Sequence, residues 1–207
     1  MMDITLASFI ALFMIVFATA GIQAVVGFGF ALLSVPIMMQ VVDLHRAVIL
    51  ASLIGTANNF YQYRDLKHDQ DKTQVKRFLW ASFIGAPLGL VAFIYADQNV
   101  LKIFLGLGVL LGVILLVRGR DLTNAHISLD WLMGVISGFL LTSTSTNGPP
   151  LVFVLQAREL PMSVFRPTIN TVFTASGMIS LIAFIVGGDV DGDTVIHALL
   201  AVPVLII

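Results

Sequence analysis

The sequence predicts an all-α, polytopic membrane protein with two internal repeats, each containing a broken or re-entrant short helix. Apolar residues make up 58% of the 207 positions and charged residues only 11%, whereas soluble domains have about 45–50% and about 25%, respectively. The mean hydropathy is +0.98. Glycine and proline interrupt the apolar runs at two places, and 119 positions separate Gly29 in the first from Gly148 in the second.

Nine apolar segments can be drawn, each bounded by charged residues, turn residues or one of the two interruptions. In order they are Ile4–Ala20, Phe28–Val42, Arg46–Tyr63, Phe78–Ala96, Val100–Val117, Trp131–Thr142, Pro150–Gln156, Pro167–Val186 and Thr194–Ile207. A helix that spans a bilayer needs about 20 residues. The second and seventh segments are shorter, so they are predicted to be half-helices or re-entrant elements packed inside protein.

The two interruptions are the most informative local features. The first is Gly27-Phe28-Gly29-Phe30, followed by Pro36, and the second is Thr146-Asn147-Gly148-Pro149-Pro150. Lipid cannot satisfy a free backbone N–H or C=O, so such breaks survive at membrane depth only where protein or a water-filled cavity covers them. Broken helices at corresponding positions of two repeats are typical of transporters with a substrate site near the midplane.

The longest polar stretch, Arg64–Arg77, sets the predicted orientation because short cytoplasmic loops are rich in basic residues. Its basic residues are Arg64, Lys67, Lys72, Lys76 and Arg77. If every segment crosses, the N-terminus lies outside and the cytoplasmic side also collects Arg118, Arg120, Arg158 and Arg166. If the broken segments are re-entrant, Arg158 and Arg166 move outside. Full crossing gives the larger charge asymmetry and is the expectation.

A duplication is indicated by the order of these features. One single-residue gap aligns the stretch from Gly29 to Ala57 with the stretch from Gly148 to Ala175. We assign residues 1–120 to the first repeat and 121–207 to the second, and we expect the second to lack the end of one helix and a further helix at the C-terminus. Five segments per repeat make the second copy inverted, and four make it parallel. A chance match among apolar residues is the alternative.

The motifs Gly21…Val26-Gly27-Phe28-Gly29-Phe30…Pro36 and Gly138…Asn147-Gly148-Pro149-Pro150 resemble those of the sulfite exporter TauE/SafE family. The resemblance covers nearly the whole chain. It implies a multi-pass transporter of the bacterial inner membrane that exports a small, often sulfur-containing anion, such as sulfite or an organosulfonate. An anion channel and a non-transporting membrane scaffold subunit remain the alternatives.

An anion at the midplane needs hydrogen-bond donors and positive partial charge, and half-helix N-termini supply both. Glycine lets the backbone approach a ligand closely, and proline suits the first helical turn. The candidate substrate-binding residues are therefore Gly27, Gly29, Asn58, Thr146, Asn147, Gly148, Pro149, Asn170 and Thr174. The alternatives are glycines that only allow close helix packing and polar side chains that only bond a neighbouring helix.

The run from Thr142 to Asn147 carries six consecutive hydrogen-bonding side chains. It is either a vestibule lined by hydroxyls and amides or a solvated external loop. Arg46 and Arg166 stand at the entrances of the third and eighth segments, where they either attract anions or anchor the helix ends at the interface. No aspartate or glutamate lies well inside a predicted segment.

The remaining residue patterns exclude several function classes. The four histidines do not pair with one another or with carboxylates at ligand spacing, so no metal is predicted, and no cofactor motif is present. We find no nucleophile and base pair and no P-loop, so an enzyme is not predicted. No basic arm suggests nucleic acid. The expected partners are the lipid bilayer and a small anionic substrate, and the oligomeric state is not indicated.

Overall fold

The computed structural model describes residues 6–66, 69–118 and 126–201, and within these ranges the chain is helical, with no strand. The helices are α1 Leu6–Val26, α2 Phe30–Met38, α3 Leu44–Leu66, α4 Lys72–Tyr95, α5 Gln98–Arg118, α6 Ser128–Thr144, α7 Gly148–Ala157, α8 Met162–Gly187 and α9 Gly192–Ala201. Three stretches, Ser8–Val26, Lys72–Tyr95 and Met162–Gly187, are long and apolar enough to cross a membrane. The expected all-α membrane class is confirmed. Ile4, Lys67, Arg120 and the part of the ninth segment after Ala201 lie outside the described residues.

Several helices extend beyond the predicted segments. Helix α6 continues through Thr144 because its polar residues bond within the helix: Ser143 Oγ donates to Phe139 O at 2.7 Å and Thr144 Oγ1 to Leu140 O at 3.1 Å. Helix α8 starts at Met162, well before the predicted start at Pro167, because Pro161 O already accepts bonds from Val164 N and Phe165 N. The polar residues Ser143 and Thr144 therefore do not end α6, and Pro167 does not begin α8.

Two helix pairs in the bundle approach each other closely. Helices α4 and α6 approach so closely that a Cβ added to Gly85 would lie 2.0 Å from Val135 O, and one added to Gly138 would lie 2.1 Å from Ser82 O. Helices α3 and α8 also pack closely, and a Cβ on Gly177 would lie 2.4 Å from Thr56 Oγ1. Small residues commonly allow such close approach in membranes.

Polar contacts show which helix ends share a face of the bundle. Asp130, in the first turn of α6, pairs with Arg77 near the start of α4 and with Arg158 directly after α7. We call this the triad end. At the opposite end, Arg46 near the start of α3 pairs with Asp191, which directly precedes α9. Arg158 thus lies at the same end as Arg77, which is the arrangement that full crossing predicts.

The two short helices run in opposite directions from the middle of the bundle. Helix α7, with 10 residues, is about 15 Å long, and it ends at the triad end. Helix α2, with 9 residues, leads through a turn to the start of α3, at the other end. Each is about half as long as a bilayer core of about 30 Å is thick. Their N-termini therefore lie inside the bundle, away from both of its ends.

Candidate functional site

The N-termini of α2 and α7 line one shared cavity. Its volume is about 50 Å³. One water needs on the order of 10–15 Å³, so the cavity has room for roughly four waters. The lining residues are Gln23, Gly29, Phe30, Ala31, Leu32, Ala51, Ser52, Gly55, Thr56, Asn59, Leu141, Ser145, Thr146, Asn147, Gly148, Phe173 and Gly177. The cavity is thus built from both sequence interruptions together with the central helices α3 and α8.

The first turn of α2 presents backbone donors to the cavity. Gly29 precedes this helix with φ 102, in the left-handed region, where a side chain is disfavoured. Leu33 N donates to Gly29 O at 3.1 Å, so the N–H groups of Phe30, Ala31 and Leu32 come before the first intrahelical bond. A Cβ added to Gly29 would meet nothing within 4 Å. The backbone therefore faces open space at this point.

The start of α7 is held more tightly. Ser137 Oγ of α6 donates to Asn147 O at 2.8 Å, and Asn147 Nδ2 donates to Ser176 Oγ of α8 at 3.4 Å. Pro149 and Pro150 follow directly and have no N–H, so Gly148 carries the first free backbone donor of α7. A Cβ on Gly148 would lie 3.5 Å from the Phe173 ring and 3.6 Å from the Phe28 ring, which is ordinary contact.

One wall of the cavity is a set of bonded amides. Gln23 Nε2 donates to Asn59 Oδ1 at 2.6 Å, and Asn58 Nδ2 donates to Gln23 Oε1 at 3.1 Å. Gln23 is only 1% exposed. These bonds fix the Asn59 oxygen away from a ligand, and its Nδ2 has no partner among the described residues. Asn59 therefore offers donors to the cavity.

The amide chain extends from this wall to α8. Gln62 Nε2 donates to Asn58 Oδ1 at 3.3 Å, and Asn170 Nδ2 donates to Gln62 Oε1 at 3.4 Å. Thr174 Oγ1 donates to Asn170 O at 2.9 Å. The amides of Gln23, Gln62 and Asn170, together with those of Asn58 and Asn59, join α1, α3 and α8. Buried amides that satisfy one another in this way specify a single packing of the helices that carry them.

Among the residues that the structure describes, those lining the cavity include hydroxyls and amides but no ionisable side chain. The hydroxyl side is formed by Ser52 Oγ, which donates to Ser145 Oγ at 3.0 Å, and by Thr146 Oγ1, which lies 2.7 Å from Thr144 Oγ1. Within the described ranges, no group of three or more histidine, aspartate or glutamate side chains is placed to hold a metal ion. The site therefore interacts with a ligand through dipoles and hydrogen bonds.

Both candidate entrance arginines make protein contacts outside the cavity. Arg46 Nη2 lies 3.2 Å from Asp191 Oδ2, and its Nε donates to Thr194 Oγ1 at 3.3 Å. Hydrogen bonds from Thr194, and then the contact with Arg46, hold the pKa of the Asp191 carboxyl below its usual value. Arg166 Nη2 donates to Ala24 O at 2.7 Å and to Val25 O at 2.8 Å, at the C-terminal end of α1. Arg46 and Arg166 thus connect helix ends.

The structure brings together four of the nine candidate substrate residues, namely Gly29, Thr146, Asn147 and Gly148. The other five lie around the cavity without lining it. Gly27 packs against Arg166, and Pro149 packs against Gly112 of α5. Asn58 and Asn170 belong to the amide chain, and Thr174 bonds Asn170 O within α8. These five support the lining residues rather than face the open space.

The candidate list omitted Gln23, Ser52, Thr56, Asn59 and Ser145, all of which line the cavity. A signal for Gln23 existed in the sequence, because it is an amide in an apolar helix, four residues before the first interruption. The solvated-loop interpretation of the run from Thr142 to Asn147 is wrong, because Thr142, Ser143 and Thr144 are fully buried in α6. These buried hydroxyls bond backbone carbonyls, and the residues after them, Ser145, Thr146 and Asn147, line the cavity.

Comparison with known proteins gives one family. The sequence model of the family described as Sulfite exporter TauE/SafE matches residues 12–207, nearly the whole chain. No curated protein matches, and no solved structure matches.

Proposed function

Because the chain belongs to the sulfite exporter TauE/SafE family of membrane transporters, we propose that it exports a small sulfur-containing anion across a bacterial inner membrane. The proposed substrate is sulfite, and the proposed route runs through the cavity between α2 and α7. The proposed contacts are the four lining residues Gly29, Thr146, Asn147 and Gly148, with Asn59 added. Arg46 and Arg166 are proposed to draw anions to the two ends of the bundle by their charge.

The observation that carries this proposal is the meeting of two helix N-termini in one uncharged cavity. Each N-terminus presents unpaired N–H groups and the positive end of a helix dipole. An anion in the cavity can accept hydrogen bonds from several N–H groups. Because the donors are uncharged, no positively charged side chain is left buried in a low-dielectric interior when the site is empty. Such a site binds an anion and still releases it, which transport requires.

The cavity volume favours sulfite over an organosulfonate. About 50 Å³ has room for roughly four waters, which matches one sulfur with its oxygens. An organosulfonate adds a carbon chain and therefore needs more room than sulfite. We therefore place organosulfonates second.

We further propose that residues 1–120 and 121–207 are inverted repeats and that transport proceeds by alternating access between them. Two features support this assignment. Helices α2 and α7 approach one cavity from opposite ends, and similar caps precede α4 and α9. Asp71 Oδ1 accepts from Thr73 N and Gln74 N, and Asp191 Oδ1 accepts from Thr194 N. In this scheme the cavity is exposed alternately to the two ends of the bundle.

The test is sulfite flux in liposomes that contain the purified chain, with protein-free liposomes as the blank. We expect flux that saturates with sulfite and shows counterflow. Flux that rises linearly with concentration and lacks counterflow would favour the anion channel, and no flux for sulfite or an organosulfonate would favour the scaffold subunit.

A substitution at the cavity wall localises the site. Asn59→Leu replaces the amide with an apolar side chain of similar volume, which removes the donor to the cavity and also the acceptor of Gln23 Nε2. A hydrogen bond to a charged group contributes about 1.5–3 kcal/mol, so the KM for sulfite should rise on the order of tenfold or more. The matched control is Asn99→Leu, the same change at an exposed position at the start of α5. Equal KM values in the two variants would remove Asn59 from the site.

A further inference from the structure

A buried carboxylate between two arginines connects three helix ends. Asp130 is fully buried. Its Oδ1 accepts from Arg158 Nη2 at 2.7 Å and from Arg158 Nε at 3.0 Å, while its Oδ2 accepts from Arg77 Nη1. Two bonds from one guanidinium to one carboxylate also restrict the direction of approach. Asp130 lies just before the predicted sixth segment and is not among the residues that the sequence singled out.

The same helix that carries Asp130 also holds the other end of α7. Ser137, about two turns after Asp130 in α6, donates its Oγ to Asn147 O directly before α7. Helix α7 is therefore attached to α6 at both ends, through Ser137 at the cavity and through Asp130 at the triad end. The position of one attachment thus affects the position of the other.

We propose that Asp130 is a positioning residue that sets the depth of α7 in the bundle and so places Asn147 and Gly148 at the anion cavity. The inference rests on the proposed function for its effect on transport, and on the triad alone for its effect on α7. Asp130 does not touch the substrate. Loss of its charge removes the carboxylate that the two arginines share, and α7 then loses this attachment at the triad end.

The experiment measures the depth of α7 directly in the full chain reconstituted in liposomes. Spin labels are placed on cysteines at the exposed positions Gln156 of α7 and Ile182 of α8. Ile182 lies 20 residues after the start of α8, about 30 Å along that helix, so the label distance reports movement of α7 along the bundle. The absence of native cysteine keeps background labelling low.

Asp130→Asn should shift or broaden the distance distribution, and it should raise the KM for sulfite on the order of tenfold. Asp130→Glu, which keeps the carboxylate, should restore most of both. The matched control is Glu159→Gln, which removes an exposed carboxylate one residue from Arg158 and should leave the distribution unchanged. A wild-type distribution in Asp130→Asn would overturn the proposal, even if its melting temperature fell.

A second pair of variants covers the case in which Asp130→Asn does not fold. Arg158→Met breaks the contact on the α7 side, and Arg77→Met breaks the one on the α4 side. Only Arg158→Met should shift the label distance strongly, and an equal shift in both variants, or none in either, would contradict the proposal. If the wild type transports no sulfite, the proposed substrate fails while the distance comparison still decides whether Asp130 holds α7.

Discussion

Gly29 and Gly148 occupy corresponding places in the two interruptions, yet the structure requires different things of them. Gly29 has φ 102 and open space where a Cβ would be. Gly148 is the first residue of α7, and a Cβ there would make ordinary contacts with two aromatic rings. The requirement for glycine is therefore conformational at Gly29 and weak at Gly148. The alternative that glycines serve only packing applies to Gly138, which faces Ser82 O, and not to Gly29.

This difference predicts unequal effects of the same substitution. Gly29→Ala should reduce the free energy of unfolding by about 1–2 kcal/mol, the cost of a left-handed alanine, and it should weaken sulfite binding because the methyl group enters the cavity. Gly148→Ala, the matched control, should change stability by about 0.5 kcal/mol or less. Denaturant unfolding and sulfite-dependent thermal shifts measure the two effects. Equal stability losses would show that the backbone of Gly29 is not strained by a side chain.

At the scale of elements, the close pair α4 and α6 holds the triad end together. The contact depends on glycines whose added Cβ atoms would overlap backbone of the partner helix, as at Gly85 and Gly138. Backbone cannot move aside as the tip of a side chain does, so the two helices must separate when either glycine is enlarged. Asp130 lies on α6 and Arg77 on α4, so such a separation also stretches the triad.

Gly85→Ala should therefore destabilise the protein by about 1–3 kcal/mol, as overpacked cores do. Gly106→Ala in α5 is the matched control, because a Cβ there would meet nothing within 4 Å, and it should be neutral or slightly stabilising. The measurement is the unfolding midpoint of the two purified variants. A neutral Gly85→Ala would mean that α4 and α6 are farther apart than described.

At the scale of the whole molecule, the triad and the Arg46 contact show which helix ends lie together at each end of the bundle. Arg77 and Arg158 share the triad end, and α4, which carries Arg77, begins there at Lys72. Because short cytoplasmic loops are rich in basic residues, the basic sequence from Arg64 to Arg77 predicts that the triad end is cytoplasmic.

Single cysteines at exposed positions test this topology in intact cells. Lys72→Cys and Glu159→Cys should resist an impermeant thiol reagent because both lie at the triad end, while Asp97→Cys, after the end of α4, should react. Labelling after cell lysis is the control for accessibility. Reaction of Glu159→Cys but not Lys72→Cys would show that the C-terminal end of α7 and the start of α4 lie on opposite sides of the membrane, which contradicts the shared triad end. Reaction of both, with Asp97→Cys protected, would reverse the orientation only.

The sequence by itself determined the membrane class, the two interruptions and the short helices that follow them. These properties depend on local composition: apolar runs, the φ freedom of glycine and the missing N–H of proline act over a few residues. It also located four of the residues that line the cavity, because those four lie within the interruptions. Helix ends were less certain, since the hydroxyls of α6 bond within their own helix.

Only the tertiary structure decided which of the other polar residues face the cavity. Gln23 and Asn59 come from different helices and meet because of how α1 and α3 are rotated. Asn170 instead bonds Gln62 in the amide chain, and Thr174 bonds Asn170 O within α8. Arg46, Arg166 and Asp130 likewise gained partners far away in sequence. Helix rotation and long-range pairing are set by packing of the whole bundle, and a linear pattern of residues does not contain them.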